Sequence, residues 1–108
     1  MHFGKVVGTV WATQKDEKLE NLKFLLLEQL GSRGEPSSSY VVAVDAVGAG
    51  QGEVVLFATG SAARQTRNTD GRPADAVVMA IVDSWDIEGE IVFRKDADVE
   101  ATAGTGDR

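Results

Sequence analysis

VDAVGAGQGEVVLFATGSAARQT, residues 44–66, carries most of the structural information in this chain. A glycine-rich segment, GAGQG, leads into a run of β-branched and aromatic residues, and that run ends at GSAAR. The apolar run predicts a strand over residues 53–59, and the crowded glycines predict a tight turn with positive φ angles. The small residues after it predict a short helix, with Ser61 as its N-cap.

On either side of this segment the chain is rich in further strand signals. Period-two alternation predicts a strand over residues 3–13, and apolar runs between polar turns predict strands over 40–47 and 75–87, with one short strand at 90–94. Residues 22–30 have high helix propensity but no amphipathic face, so a strand is favoured there too. Polar loops are predicted at residues 14–21 and 31–39. Five long strands and one short helix predict a mainly β fold, a small five-stranded OB-like barrel that occupies residues 1–94 as a single domain. Residues 95–108 are acidic and small, which predicts a disordered tail.

The bulk composition excludes several classes of function. The chain has 108 residues, no cysteine and a net charge of −6, with 11 basic residues scattered among 17 acidic ones. Nucleic-acid binders usually cluster Lys and Arg to neutralise phosphates, so partners among nucleic acids and anionic membranes are not expected. The N-terminus lacks the features of a signal peptide, and no apolar run is long enough to cross a membrane. These features indicate a cytoplasmic protein.

Three predicted strands are apolar on both faces. They fall at residues 40–44, 54–58 and 77–82. A small barrel has one inside, so its strands should present polar residues outward. Either the helix and loops cover the second face, or another subunit does. We expect an obligate oligomer, since contiguous exposed apolar patches usually mark protein interfaces.

No catalytic or cofactor-binding arrangement is present. GAGQGE departs from the dinucleotide pattern GxGxxG, lacks the Lys-Ser/Thr ending of a phosphate loop and leads into a strand. The nucleophile pattern G-x-S-x-G is absent, and His2 is the sole histidine, so neither a Ser-His pair nor a histidine metal site is expected. We predict no enzyme activity, no cofactor and no metal.

A binding module is the alternative to a structural protein. Trp11 and Trp85 could stack on bases, as in OB-type single-strand nucleic-acid binders, or the barrel could hold a small ligand. Single-strand sites also need a basic groove, which the charge pattern does not predict. Packing or interface roles are therefore favoured for both tryptophans.

Taken together, GKVVGTVWAT, VDAVGAGQGEVVLFATGSAARQT and PADAVVMAIVD resemble the EutN/CcmL family of pentameric vertex proteins of carboxysomes and related microcompartments. The resemblance extends from Phe3 to about Ile87. It implies a homopentamer shaped as a truncated pentagonal pyramid with a narrow axial opening. It also implies that the pentamer caps the vertices of a cytoplasmic shell whose other partners are hexameric tiles.

The resemblance further implies where the subunits meet in the ring. The family's signature loops correspond here to two segments, which we take as the subunit interface and axial region: Gly48, Ala49, Gly50, Gln51, Gly52 and Glu53, and then Gly60, Ser61, Ala62 and Arg64. We expect Arg64 to bind backbone carbonyls or Glu53 of the adjacent subunit. The alternative is that Arg64 faces the axial opening and attracts anions.

Overall fold

Seven strands and two single-turn 3-10 helices make up the described part of the chain, residues 1–13 and 15–95, in a computed structural model. The strands are β1 (His2–Val10), β2 (Phe24–Leu30), β3 (Pro36–Asp45), β4 (Val54–Thr59), β5 (Ala76–Ile81), β6 (Ser84–Ile87) and β7 (Glu90–Arg94). The 3-10 helices are Glu17–Leu19 and Gly60–Arg64. The predicted disorder at residues 96–108 lies outside the described residues.

The first five strands close into a barrel in the order β1-β2-β3-β5-β4. Their pairings are antiparallel except for β3 with β5, which run parallel and pair at Val44↔Val77 and Asp45↔Val78. Strands β6 and β7 form a separate hairpin. The mainly β fold, the five-stranded OB-like barrel and the short helix predicted from the sequence are confirmed.

Two clusters of apolar side chains stabilise the barrel, one inside it and one on its outer surface. The inner cluster comprises Val6, Leu25, Leu27, Ala43, Ala49, Val55, Phe57, Ala76 and Val78. The outer cluster comprises Val44, Ala58, Ala63, Ala74 and Val77, with Leu22, Phe24, Ala46 and Met79 packed against it. The second 3-10 helix and the segment after it therefore cover the outer faces of β4 and β5 within one chain.

Because the 3-10 helix and the following segment cover β4 and β5, the expectation that three strands expose a second apolar face holds for only one of them. For β4 and β5 that expectation is wrong, since helix and loop bury most of both faces. It holds for β3, where Tyr40 is 58% exposed and Val42 is 46% exposed. Tyr40 and Val42 are thus the exposed large apolar side chains within the five described barrel strands, while the others lie in flanking segments or in the hairpin.

Several predicted boundaries shift because strand pairing, and not composition, sets them. Strand β3 begins at Pro36, so the serines predicted as loop lie in a strand that pairs with β2, and the loop shrinks to residues 31–35. The single long strand predicted at residues 75–87 is two strands. Strand β5 ends at Ile81, and β6 leaves the barrel to pair with β7.

The β6–β7 hairpin is attached to the barrel through Trp85. The indole stacks against Phe3 of β1 at 4.0 Å and against Phe93 of β7 at 5.0 Å, between ring centroids. Its Nε1 donates a hydrogen bond of 2.7 Å to the carbonyl of Ser32. The packing role predicted for Trp85 is confirmed, whereas Trp11 is 87% exposed.

Candidate ring interface

The segment after β3 is organised by the carboxylate of Asp45. Its Oδ1 accepts the backbone N–H groups of Val47, Gly48 and Ala49 at 3.1, 3.0 and 3.2 Å. This geometry turns the chain and places Ala49 in the barrel core, where it is 1% exposed. Asp45 was missed as a site residue, although an aspartate just before a glycine-rich turn is a recognised turn signal.

The three glycines of this loop serve different purposes. Gly48 and Gly52 have φ angles of +79° and +88°, which only glycine adopts at low cost, so the predicted positive φ is confirmed for them. Gly50 has no positive φ, so for this glycine the other expected reason, a close approach between subunits, stays a prediction. A Cβ at Gly50 would lie 3.5 Å from Glu53 Oε1, an ordinary contact.

Glu53 ties the loop to two other parts of the chain. Its Oε1 accepts the N–H of Gly50 at 2.6 Å, and its Oε2 lies 2.9 Å from Nζ of Lys95. The Gly50 hydrogen bond first, and then the Lys95 hydrogen bond and charge, lower the pKa of Glu53 below its ordinary value. The carbonyl of Glu53 accepts the N–H of Val6 at 2.9 Å, which holds the loop against β1.

Lys95 thus belongs to the described fold, although it was predicted as the first residue of the tail. Its backbone N–H donates to the carbonyl of Asp83 at 2.8 Å, and its ammonium pairs with Glu53. Gln51 remains exposed at the tip of the loop.

The second predicted segment forms the 3-10 helix Gly60–Arg64. Gly60 has a φ of +65° and donates its N–H to Asp75 at 2.9 Å, which turns the chain sharply out of β4. The N-cap position is therefore Thr59, with no side-chain capping bond, and the prediction of Ser61 as N-cap is wrong. Ala62 and Arg64 are exposed, whereas Ala63 is buried in the outer cluster.

Among the described residues, Arg64 makes one weak hydrogen bond. Its Nη1 lies 3.5 Å from the carbonyl of Ala74, at the outer limit of a hydrogen bond. An exposed guanidinium carries five N–H donors. Most of its donors therefore remain available to groups outside the chain.

Two threonines that the sequence analysis did not single out hold this helix in place. Thr69 is fully buried, and its Oγ1 donates to the carbonyl of Ala63 at 2.6 Å. Thr66 Oγ1 lies 2.6 Å from Thr69 Oγ1 and accepts the Thr69 N–H at 3.1 Å. Two threonines three residues apart in a polar turn are not a recognisable sequence signal. Their role depends on the burial of Thr69 beneath the 3-10 helix, which the sequence does not show.

The two predicted segments do not meet within one chain. One precedes β4 and the other follows it, so they flank the six residues of Val54–Thr59. At roughly 3.3 Å per residue they lie on the order of 20 Å apart. A contact between them could be made only between neighbouring subunits.

Metal-ligating side chains do not cluster in the described residues. No group of three His, Cys, Asp or Glu residues among them could hold a metal ion. A groove of about 430 Å³ between the hairpin and the barrel has a mixed lining, with apolar residues such as Leu30 and Phe93 beside the charged Lys5, Glu28, Glu53 and Lys95. In the part of the chain that the structure describes, no helix is long and apolar enough to span a bilayer.

A family model described as "Ethanolamine utilisation protein EutN/carboxysome" matches residues 1–83. The chain belongs to the EutN/CcmL family. Its curated relatives are named as shell vertex proteins of carboxysomes and other bacterial microcompartments, which is a structural role and not an enzymatic one.

Individual members of the EutN/CcmL family resemble this chain over most of its length. The carboxysome shell vertex protein CcmL of Gloeobacter violaceus is 44% identical over 88% of this chain and 95% of its own length. The microcompartment shell vertex protein EutN of Salmonella typhimurium is 37% identical over 88% of this chain and 96% of its own.

Solved structures of family members have the same fold as this chain. The Gloeobacter violaceus CcmL structure superimposes with a TM-score of 0.86 at 44% identity, and the match covers 89% of this chain and 99% of that one. The pentameric microcompartment shell protein GrpN of Rhodospirillum rubrum superimposes with a TM-score of 0.73 at 42% identity, over 81% of this chain and all of GrpN.

Proposed function

We propose that this chain forms a five-membered ring that caps the vertices of a microcompartment shell. The observation that carries the proposal is the likeness over most of the chain to GrpN, which is described as pentameric. The apolar surface left exposed on β3 supports self-association, since a lone barrel would keep Tyr40 and Val42 in water.

In the shell, the partners of this ring are hexameric tiles. A flat layer of six-fold units closes into a polyhedron only where five-fold units are introduced, so a pentameric ring suits a vertex. The acidic net charge of −6 argues against the alternative of single-strand nucleic-acid binding. So does the half-buried Trp85, whose ring stacks on Phe3 and Phe93 within the chain.

Residues 48–53 and the 3-10 helix Gly60–Arg64 contribute the ring contacts in this proposal. Rotation about a five-fold axis leaves each residue at the same position along that axis in every subunit. Segments at opposite ends of β4 can therefore meet between neighbouring subunits only if β4 runs around the ring and not along its axis. Within its own chain Glu53 already binds Gly50 and Lys95. Backbone carbonyls are therefore the favoured acceptors for Arg64.

Native mass spectrometry of the purified chain tests the ring directly. We expect a dominant species of five chain masses at micromolar concentration. A stable monomer would contradict the proposal. Co-expression with a hexameric shell tile tests the vertex role: closed particles should appear in electron micrographs only when this chain is present, and equal closure without it would exclude that role.

A further inference from the structure

We infer that the outer face and free edge of β3 at Tyr40–Ala43 form a ring contact that a second copy of this chain covers. The inference rests on the proposed pentamer and specifies which surface of the barrel builds it. This β3 surface lies outside both segments that the sequence analysis assigned to the ring contact.

The first observation is the missing neighbour of β3. On one side β3 pairs with β2 along most of its length. On the other side, among the described residues, it pairs with β5 only at Val44 and Asp45. The strand therefore has a free edge from Pro36 to Ala43, with a row of backbone groups that can pair with another chain.

The second observation is that only half of this edge is protected. Its beginning has Pro36 and a register shift near Ser38, whose φ is +63°. Proline and irregular backbone are devices that prevent unwanted strand pairing. The stretch from Tyr40 to Ala43 is regular, contains neither proline nor charge, and pairs residue by residue with β2.

The third observation is the side chains on the outer face. Val41 and Ala43 contribute to the inner core, and Tyr40 and Val42 alternate with them and point outward. Their cross-strand neighbours are Glu28 beside Tyr40 and the half-buried Leu26 beside Val42. Next to Leu26 lies Gly8 of β1, which adds no side chain, so the face is flat and apolar around Val42.

A second copy is the occupant that fits these observations. A cyclic ring needs a heterologous contact, in which one patch of a subunit meets a different patch of the next. Elsewhere on the barrel the outer faces of β4 and β5 are covered by the chain itself. Tyrosine is enriched among the residues that dominate interface energies, so Tyr40 is placed as an anchor of this contact.

A charge placed on this face tests the inference. Val42→Glu should leave the isolated barrel folded, because Val42 is 46% exposed in one chain, but it should bury a carboxylate in the ring. We expect at least a 100-fold weaker assembly, seen as loss of the five-chain species in native mass spectrometry. The matched control is Ile91→Glu on the hairpin, 54% exposed, which should keep the ring.

The outcomes separate this inference from the proposed function. If the unmodified chain is not a ring, the proposed function fails and the inference fails with it. If the unmodified chain is a ring and Val42→Glu is one too, only the inference is overturned. Loss of the ring in both variants would also overturn it, because the effect would not be specific to β3.

A second experiment does not depend on a destabilising change. Replacing Tyr40 with the photo-crosslinking residue p-benzoylphenylalanine keeps an aromatic ring at that position. Illumination of the assembled ring should give a ladder of covalently joined chains, and the same residue at position 91 should give none. An intact ring without crosslinks from position 40 would overturn the inference.

Discussion

At the scale of single residues, Arg64 is the sharpest test of the ring contacts. It is exposed, and within the part of the chain that the structure describes its side chain makes only a weak hydrogen bond, to the carbonyl of Ala74. We predict that Arg64→Ala leaves the monomer fold intact but weakens the ring by about 1–3 kcal/mol per subunit, because buried acceptors lose their donor.

The control for Arg64 is Arg67→Ala, which removes the same charge from a nearby exposed position. Dilution followed by native mass spectrometry measures the ring in each variant. If Arg64→Ala retains the subunit count and melting temperature of the unmodified chain, Arg64 is not a ring contact. The alternative that it faces the axial opening would then be favoured.

The loop glycines give a second prediction at this scale. Gly52 has a φ of +88° and open space around its Cα, so Gly52→Ala should cost about 1–2 kcal/mol through backbone strain alone. Gly50→Ala is the matched control, since a Cβ there makes an ordinary contact within the chain. Thermal unfolding measures both. An equal loss at Gly50 would mean that a neighbouring subunit approaches it closely.

Glu53 predicts a pH dependence. Its pKa is lowered in the folded chain by the N–H of Gly50 and by Lys95, so the folded state holds its proton less tightly than the unfolded state. Its contribution to stability is therefore present above the ordinary value of 4.5 and is lost as the pH falls through the lowered folded pKa.

Glu53→Gln should remove this part of the acid sensitivity. We expect its melting temperature to fall less between neutral pH and pH 3 than that of the unmodified chain. Glu90→Gln, an exposed change on the hairpin, should follow the unmodified profile. Parallel profiles for Glu53→Gln and the unmodified chain would contradict this assignment.

At the scale of elements, the β6–β7 hairpin depends on Trp85. A two-stranded hairpin is marginal alone, and this one packs on the barrel through the stack of Trp85 with Phe3 and Phe93. Trp85→Ala should cost about 3 kcal/mol. Trp85→Phe should cost about 1 kcal/mol, because it keeps an aromatic contact but loses the bond to the carbonyl of Ser32. Chemical denaturation measures both, and equal losses would show that the hydrogen bond outweighs the stack.

The strands also show how much of the secondary structure could be predicted from the sequence. Alternation in residues 3–13 and apolar runs between polar turns elsewhere located all five barrel strands and the short strand at 90–94. It misplaced the start of β3 by four residues and missed the break between β5 and β6, because strand ends depend on where a neighbouring strand stops. The ends of β3 are set by Leu30, which pairs with Pro36, and by the Asp45 carboxylate.

At the scale of the whole molecule, residues 96–108 are expected to be unnecessary for the ring. They contain one valine and no aromatic residue, too little apolar surface to offset the entropy of ordering. Deleting 96–108 should change neither the melting temperature nor the subunit count. Deleting 95–108 also removes the partly exposed Lys95–Glu53 ion pair and should cost at most about 1 kcal/mol, with the ring retained. If either truncated chain falls to monomers, the removed residues cross an interface.

The sequence by itself determined the fold class and the family, since these follow from residue types at fixed spacings along the chain. Only the tertiary structure decided which apolar strand faces remain uncovered. The pattern of β4 and β5 is as apolar as that of β3, yet Ala63 and Ala74 pack over the first two, whereas Tyr40 on β3 stays 58% exposed. The tertiary structure also places residues 48–53 and Gly60–Arg64 at opposite ends of β4, and it pairs Lys95 with Glu53. These features depend on contacts between residues far apart in the chain, which local periodicity does not encode.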